Sequence, residues 1–420
     1  MKKQTLCDLD IDVYYETLDN GLKIFVIPKN DVNNIYATFS TDYGSIQNEF
    51  LVNSKMVRVP DGVAHFLEHK MFEQKNGVDS LYVLMALGLD ANAYTTNDHT
   101  AYLFECTDHF YEGLDELMDY VQNPYFTDQN VEKEKGIIGQ EIGMYDDDPG
   151  WQLYMNALDC MYEKNAIKID IAGTVESISK IDKEVLYKCY NTFYHPSNMV
   201  MVLCGDFNPE EMLEEVKRRL VKREKQAEIK RIYPTEKEEI NKKYKETKME
   251  VSKPLFMIGF KDKTNQENLV TRHIAIEILL NMLIGKSSKL YQKLYNEGLL
   301  MGQPDLDYEF TSDYAHVLIG GQSKNPEKIK EELLKEIQNL KNEFDEERFE
   351  RIKKKIYGDY VVEYNNISDV ARMLLSDYFK NIESFDYIEQ YSTVTAEFTK
   401  QILDEIFDKN KCILSVVKTK

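Results

Sequence analysis

Apolar positions along this chain recur with two periods, and the order in which those periods alternate is repeated. Tyr14 to Leu18 and Leu22 to Ile27 read as strands around Asp19-Asn20-Gly21, where Asn-Gly supplies the positive backbone angles of a tight hairpin turn. An alternating strand follows at Ile35 to Tyr43, then helical patterns near 62–75 and 78–88 and strand-like segments near 90–97 and 99–107. Helical stretches then run to about 192 and end in the apolar strand Asn198 to Cys204. From Glu250 the order recurs. A strand at Pro254 to Phe260 precedes helices near 266–284 and 287–296, strands near 305–311 and 315–321, helices over 326–407 and a closing strand, Cys412 to Val417.

The ends of the two halves align at one offset. Ile181 to Val185 precedes Val394 to Phe398 by 213 residues, and Met199 to Leu203 lies over Cys412 to Val416 at that same spacing (199 to 412). Strands and helices in this order predict an α+β fold of helices layered on mainly antiparallel sheets, duplicated within one chain. The expected organisation is a domain over 1–215, a charged connector over 216–249 containing Pro234, and a homologous domain over 250–420.

Composition narrows the class. The chain has 420 residues, 43% hydrophobic and 30% charged, which fits a globular protein of roughly two to three domains by length. Lys and Arg number 52 against 73 Asp and Glu, a net charge of −21, which argues against a nucleic-acid partner. The basic exception, Lys217 to Lys248 with 13 Lys/Arg and 6 Asp/Glu, reads as a solvated connector. No apolar run is long enough to span a membrane, and the start lacks a signal-peptide core. The six cysteines, Cys7, Cys106, Cys160, Cys189, Cys204 and Cys412, are scattered with no Cys-x-x-Cys pair, as expected of reduced thiols in a cytoplasmic protein.

Chemistry concentrates in Asp61-Gly62-Val63-Ala64-His65-Phe66-Leu67-Glu68-His69. Asp61 is the expected helix N-cap. At about 100° per residue, His65 and His69 fall about 40° apart on one helical face, which suits two imidazoles converging on one ion. Glu68 stands about 60° to the other side of His65, within reach of a water at that ion. Further on, Glu134 and Glu141 lie about 20° apart on a second helix among Ile137, Ile138 and Tyr145. Two carboxylates in apolar company need a cation or donors. A divalent metal at His65, His69 and Glu141 meets that need. Gly136, Gly139 and Gly143 share the opposite stripe, which predicts close approach by another backbone, since each glycine costs a helix about 1 kcal/mol.

These residues resemble the pitrilysin/insulinase zinc peptidases, whose mark is the inverted His-x-x-Glu-His motif. The resemblance runs along the whole chain. It also includes the Glu134/Glu141 pair, Asn92-Ala93-Tyr94-Thr95, Gly173-Thr174-Val175-Glu176-Ser177-Ile178 and Tyr194-His195-Pro196-Ser197-Asn198-Met199. It is similar in length to bacterial members that resemble mitochondrial processing peptidase, which implies the processing-peptidase-like metallohydrolase fold: two homologous α/β sandwich halves forming one side of a clamshell. By that resemblance His65, His69 and Glu141 hold one Zn2+ per chain, and Glu68 is the catalytic base. Glu134 orients a ligand, and Asn92, Ala93 and Tyr94 line an edge strand to which an extended peptide adds itself.

The function so implied is a zinc metalloendopeptidase cleaving peptides or precursor segments in an enclosed chamber, with Glu68 activating a zinc-bound water. The alternative is a non-catalytic or pathway-dedicated subunit of a peptide-maturation heteromer. The second half lacks the motif. Its corresponding helix, Ile274 to Asn281, is apolar, and His273 stands alone there, as His99, His109, His195 and His316 do elsewhere. That half is expected to be structural and peptide-facing. There is also a departure: family members carry an Arg and a Tyr near a Gly-Leu in the second half. Here Tyr295 and Met301 stand near those positions, with no arginine from Ser287 to Tyr308. The expected partner is therefore a second chain, in a homodimer or a heterodimer with a related chain lacking the zinc motif.

Overall fold

The computed structural model describes residues 1–6, 9–223, 226–264, 267–383 and 385–420. The first half begins with β1 (Lys2–Leu6), β2 (Ile11–Thr17), β3 (Lys23–Pro28), β4 (Ile35–Thr41), β5 (Glu49–Val52) and β6 (Lys55–Arg58). It continues through α1 (Val63–Lys70), α2 (Ser80–Ala86), β7 (Asp90–Thr95), β8 (Thr100–Cys106), α3 (Phe110–Gln122), α4 (Asp128–Asp146) and α5 (Pro149–Met161). It closes with α6 (Val175–Ile178), α7 (Lys183–Phe193), β9 (Met199–Gly205), α8 (Pro209–Arg219) and β10 (Ile229–Arg231). The second half comprises β11 (Tyr244–Met249), β12 (Leu255–Lys261), α9 (Leu269–Ile284), α10 (Lys289–Asn296), β13 (Asp305–Phe310) and β14 (Ala315–Gln322). Then follow α11 (Pro326–Asn342), α12 (Glu346–Glu363), α13 (Ile367–Phe379), α14 (Asp386–Tyr391), α15 (Ala396–Ile406) and β15 (Cys412–Thr419).

The strands assemble with a repeated topology. One sheet has the order β1-β2-β3-β9-β4-β8-β7 and another the order β11-β15-β12-β14-β13. Setting β3, β9, β4, β8 and β7 over β11, β15, β12, β14 and β13 matches every neighbour. In each sheet one pair is parallel, β3 with β9 and β11 with β15, and the rest are antiparallel. The 213-residue offset is kept: α7 and α15 start at 183 and 396, behind the caps Asp182 and Thr395, and β9 and β15 start at 199 and 412. The fold is thus α+β and duplicated.

In the first compact unit (Met1–Ile142, Ile169–Tyr233, Val362–Ser384) one sheet face supplies Ile24, Val26, Ala37, Phe39, Tyr102, Phe104, Met201 and Leu203 to a core shared with α1, α3 and α7. Each large apolar side chain so buried contributes about 1.5–3 kcal/mol. On the other face α13, from the chain's second half, packs against β4 and β9. Tyr36 there meets Arg372, and Phe25 meets Tyr378 edge-on. Two covered faces explain why β9, Met-Val-Met-Val-Leu-Cys-Gly, is an unbroken buried run rather than an alternating one.

The second unit (Gly143–Lys168, Pro234–Val361, Phe385–Lys420) is built the same way. Its sheet packs against α9 and α11, and against α5 from the first half, whose Leu153 carbonyl accepts a hydrogen bond from Ser415 Oγ at 2.9 Å. Compact units and sequence halves are therefore different divisions, because each half lends a helix to the other half's sheet. The stretch 216–249 is also more ordered than a connector. β10 pairs with β5, and β11 pairs with β15. Several of its cations are engaged: Arg219 with Asp115, Arg231 with Asp42, and Lys242 and Lys245 with Asp159.

Candidate metal centre

Helix α1 does not start as its sequence suggests. Asp61 is not the cap. Gly62 occupies that position in the left-handed conformation, φ 91°, with no side-chain capping bond. Asp61 is used elsewhere: its carboxylate accepts from Asn48 Nδ2 at 2.8 Å and its carbonyl accepts from Ser177 Oγ at 2.8 Å. A side chain on Gly62 would put its Cβ 2.4 Å from the Ala172 carbonyl oxygen. Ser177 belongs to the capping box of α6, so the segment Gly173 to Ile178 braces the entry into the histidine helix.

Along α1, His65 and His69 turn their rings toward α4, with ring centroids 4.6 Å apart. His65 Nε2 lies 3.7 Å from Glu141 Oε1, and His69 Nε2 lies 3.5 Å from Glu141 Oε2. These separations exceed good hydrogen bonds. They are close to the edges of about 3.3–3.4 Å that tetrahedral zinc with bonds of about 2.0–2.1 Å imposes on its donors. The three donor atoms all lie within 4.8 Å of one another and form the one such His/Cys/Asp/Glu group among the described residues. Borderline nitrogen donors and a carboxylate suit Zn2+. The residues fit the metal.

The surroundings separate the roles. Burial, aided by the neighbouring His69, drops the His65 pKa to about 3, so its ring is neutral and able to ligate. Its Nδ1 is buried with no hydrogen-bond partner among the described residues. Burial also pulls on His69, but its bond to Glu134 and the charges of Glu68, Glu134 and Glu141 outweigh this and raise its pKa. Glu134 Oε1 lies 3.1 Å from His69 Nδ1, while its Oε2 accepts from Lys70 Nζ at 3.2 Å. Burial raises the Glu134 pKa, yet these two partners prevail and hold it below the usual carboxylate value. Glu68 is buried beside the donors. Desolvation raises its pKa against an opposing hydrogen bond from Thr95 Oγ1 to Glu68 Oε2 at 2.5 Å.

Thr95 ends β7, which among the described residues is an edge strand paired only with β8. Asn92, Ala93 and Tyr94 sit on that strand, and α1 packs against it. Lys70 and Thr95 had no assigned part in the sequence reading. The available signal for the first was a lysine set between His69 and the apolar pair Met71-Phe72; the second was marked only as the last residue of Asn92-Ala93-Tyr94-Thr95. The glycine stripe is a correction. Among the described residues nothing outside the helix's own backbone lies within 4 Å of a Cβ placed on Gly136, Gly139 or Gly143, so no neighbouring backbone there explains the stripe.

The remaining histidines are dispersed. His273 Nδ1 lies 2.7 Å from the Tyr387 hydroxyl, His316 is fully buried 3.0 Å from the Tyr162 hydroxyl, and His99 pairs with Asp98 at 2.6 Å. His195 caps a short turn, and His109 is exposed beside Glu112. In the second unit Tyr295 is 53% exposed and stacks on Tyr291, and Lys253 Nζ lies 3.3 Å from Met301 Sδ. No helix of the described residues is long and apolar enough to cross a membrane.

Comparison with known proteins agrees with fold and site. Residues 59–175 match the family described as Insulinase (Peptidase family M16), and residues 180–356 match Peptidase M16 inactive domain. Over 402 residues the chain is 40% identical to an uncharacterized zinc protease, YmfH, of Bacillus subtilis, covering 94% of this chain and 93% of YmfH. A solved structure from Alicyclobacillus acidocaldarius, described as an M16-like peptidase, superposes with a TM-score of 0.94 at 34% identity over 98% of this chain and 99% of that one. The periplasmic protease PqqL of Escherichia coli shares the fold at a TM-score of 0.78 and 18% identity, 97% of this chain lying over 48% of PqqL. The architecture is that of an M16-like peptidase. The chain belongs to the insulinase family of zinc proteases, peptidase family M16.

Proposed function

We propose that this chain is a zinc-dependent endopeptidase that hydrolyses peptides or precursor segments in an enclosed chamber, with one Zn2+ held by His65, His69 and Glu141. The observation that carries the reading is the convergence of those three donors beside Glu68, a buried carboxylate outside the donor set. When bound, Zn2+ would supply a Lewis acid that polarises the scissile carbonyl and lowers the pKa of a water to about 7. Glu68 accepts the proton of the attacking water as oxygen adds to the carbonyl carbon. It returns that proton to the leaving nitrogen as the C–N bond breaks. Its Oε2 is engaged by Thr95, which leaves Oε1 to hold the proton. Glu134 keeps the proton of His69 on Nδ1 and the lone pair on Nε2. An extended substrate would add to the free edge of β7 beside Asn92, Ala93 and Tyr94.

Metal analysis of the purified chain and digestion of a mixed peptide library test this directly. Glu68→Gln should keep zinc and lose about 10²–10⁴ in turnover. His65→Ala or Glu141→Ala should lose the zinc, and Glu134→Ala should weaken its binding about 10- to 100-fold. A Glu68→Gln protein that cleaves at the wild-type rate would overturn the assignment.

One observation favours a partner. Without an arginine between Ser287 and Tyr308, substrate backbone has no guanidinium to hold it in that region. PqqL, in which this fold occupies about half the chain, is consistent with pairing of two such lengths. The proposed assembly is a homodimer, or a heterodimer with a related chain lacking the zinc motif, in which case this chain is the dedicated subunit of a peptide-maturation complex. Sedimentation alone and with a paralogue decides between them, and a fully active monomer refutes both. Cys106, Cys160, Cys189, Cys204 and Cys412 are buried free thiols, which supports a cytoplasmic location; Cys7 lies outside the described residues.

A further inference from the structure

Lys70 is the last residue of α1, and it is 1% exposed. A lysine this deep is held only if its charge is met. Two carboxylates meet it: Nζ lies 2.5 Å from Glu73 Oε2 and 3.2 Å from Glu134 Oε2. Glu134 thus has one oxygen on Lys70 and the other on Nδ1 of His69. We propose that Lys70 is a positioning residue for the metal ligand His69, acting through Glu134; the proposal rests on the zinc site described above. A glutamate has three rotatable bonds, and a single contact to an imidazole would leave its carboxylate free to swing. The ammonium pins Oε2, so Oε1 is presented to Nδ1, and Nε2 keeps its lone pair toward Glu141. Glu73, in the segment after α1, pins the ammonium in turn. The chain therefore runs Glu73, Lys70, Glu134, His69, each link a charge-assisted contact.

Two other roles make opposite predictions. If Lys70 acted only as a charge, it would repel a divalent cation, and its removal would tighten zinc binding. If it were only a buttress of the fold, its removal would lower thermal stability and leave zinc affinity in place. Positioning predicts weaker zinc binding that depends on Glu134.

The measurement is the zinc dissociation constant, by competition with a chromophoric chelator, for the wild type, Lys70→Met, Glu134→Ala and the double variant, with the thermal midpoint of each metal-free protein alongside. Lys70→Met should weaken zinc about tenfold, the low end of the range for partners of metal ligands. In the Glu134→Ala background the same change should alter affinity less than about twofold, because the intermediary is gone. If Lys70→Met does not fold, Lys70→Gln, which keeps an N–H donor without the charge, should show a smaller loss, whereas a charge-only role would show a gain. Unchanged or tighter binding in the single variant overturns the proposal, as does a further tenfold loss from Glu134→Ala to the double variant. A wild-type chain that binds zinc but cuts no peptide, alone or mixed with the paralogue, would refute the proposed function and leave Lys70 to be judged by affinity. A wild-type chain that binds no zinc overturns both.

Discussion

Replacing Thr95 by valine removes one hydroxyl and almost no volume. That hydroxyl is 2.5 Å from Glu68 Oε2, and it is 3.3 Å from Thr100 Oγ1, whose own proton goes to the Tyr43 carbonyl at 2.9 Å. Thr100 therefore keeps its partner in the variant, and the loss falls on Glu68. A hydrogen bond to a charged group contributes about 1.5–3 kcal/mol. That bond stabilises the charged carboxylate and weakens as Glu68 takes the proton. What its loss removes from turnover is therefore the fixed direction of the base. Because misplacing a catalytic group by about 1 Å costs about 100-fold, kcat should fall about 10- to 100-fold. Neither the zinc donors nor the outer edge of β7 changes, so zinc content and KM should hold. Thr95→Ser, which restores the donor, should recover kcat to within about threefold. The assay is steady-state cleavage of a quenched fluorescent peptide at matched zinc occupancy. A Thr95→Val enzyme with kcat within twofold of wild type would show that the contact does not position the base. A raised KM at unchanged kcat would instead move Thr95 into peptide binding.

Other expectations concern the scaffold. Gly62→Ala places a Cβ 2.4 Å from the Ala172 carbonyl and forces φ 91° on an L-residue, so it should cost more than the roughly 1–2 kcal/mol of the left-handed conformation alone; denaturant unfolding measures this. Asp262→Ala strands buried Arg272, whose Nη2 is 2.7 Å from Asp262 Oδ1, and should destabilise the second unit by about 3–5 kcal/mol in the same assay; a cost below 1 kcal/mol would show that Glu405 suffices. Glu236 is pushed up by burial but brought down to about 2 by the backbone N–H groups of Glu163, Lys164 and Asn165 and by Lys261. Its stabilisation is present above the ordinary value of 4.5 and is lost as pH falls from there toward 2. The stability gap between wild type and Glu236→Gln should therefore narrow across that window, and a gap independent of pH would refute the assignment.

The sequence by itself determined the features that depend on local geometry. His65 and His69 one turn apart, and Glu134 and Glu141 two turns apart, are set by the 3.6-residue period, so two converging faces could be read before any contact was known. The Asn-Gly hairpin was legible for the same reason, and Gly21 has φ 89° between β2 and β3. The duplication was legible because the order of elements survives where residue identity does not.

Tertiary structure decided what depends on partners distant in sequence. Asp61 has the chemistry of a cap, but Asn48 and Ser177 claim it, and a glycine takes the turn. β5, β6, β10 and β11 are short or charged strands whose pairing supplies the stability their side chains do not, so no apolar alternation announced them. The exchange of α5 and α13 left no local mark, because an apolar helical face does not specify which sheet it covers. Lys70 and Thr95 took their places at the metal centre by the same rule: a lone lysine or threonine is defined by the carboxylate that folding brings to it.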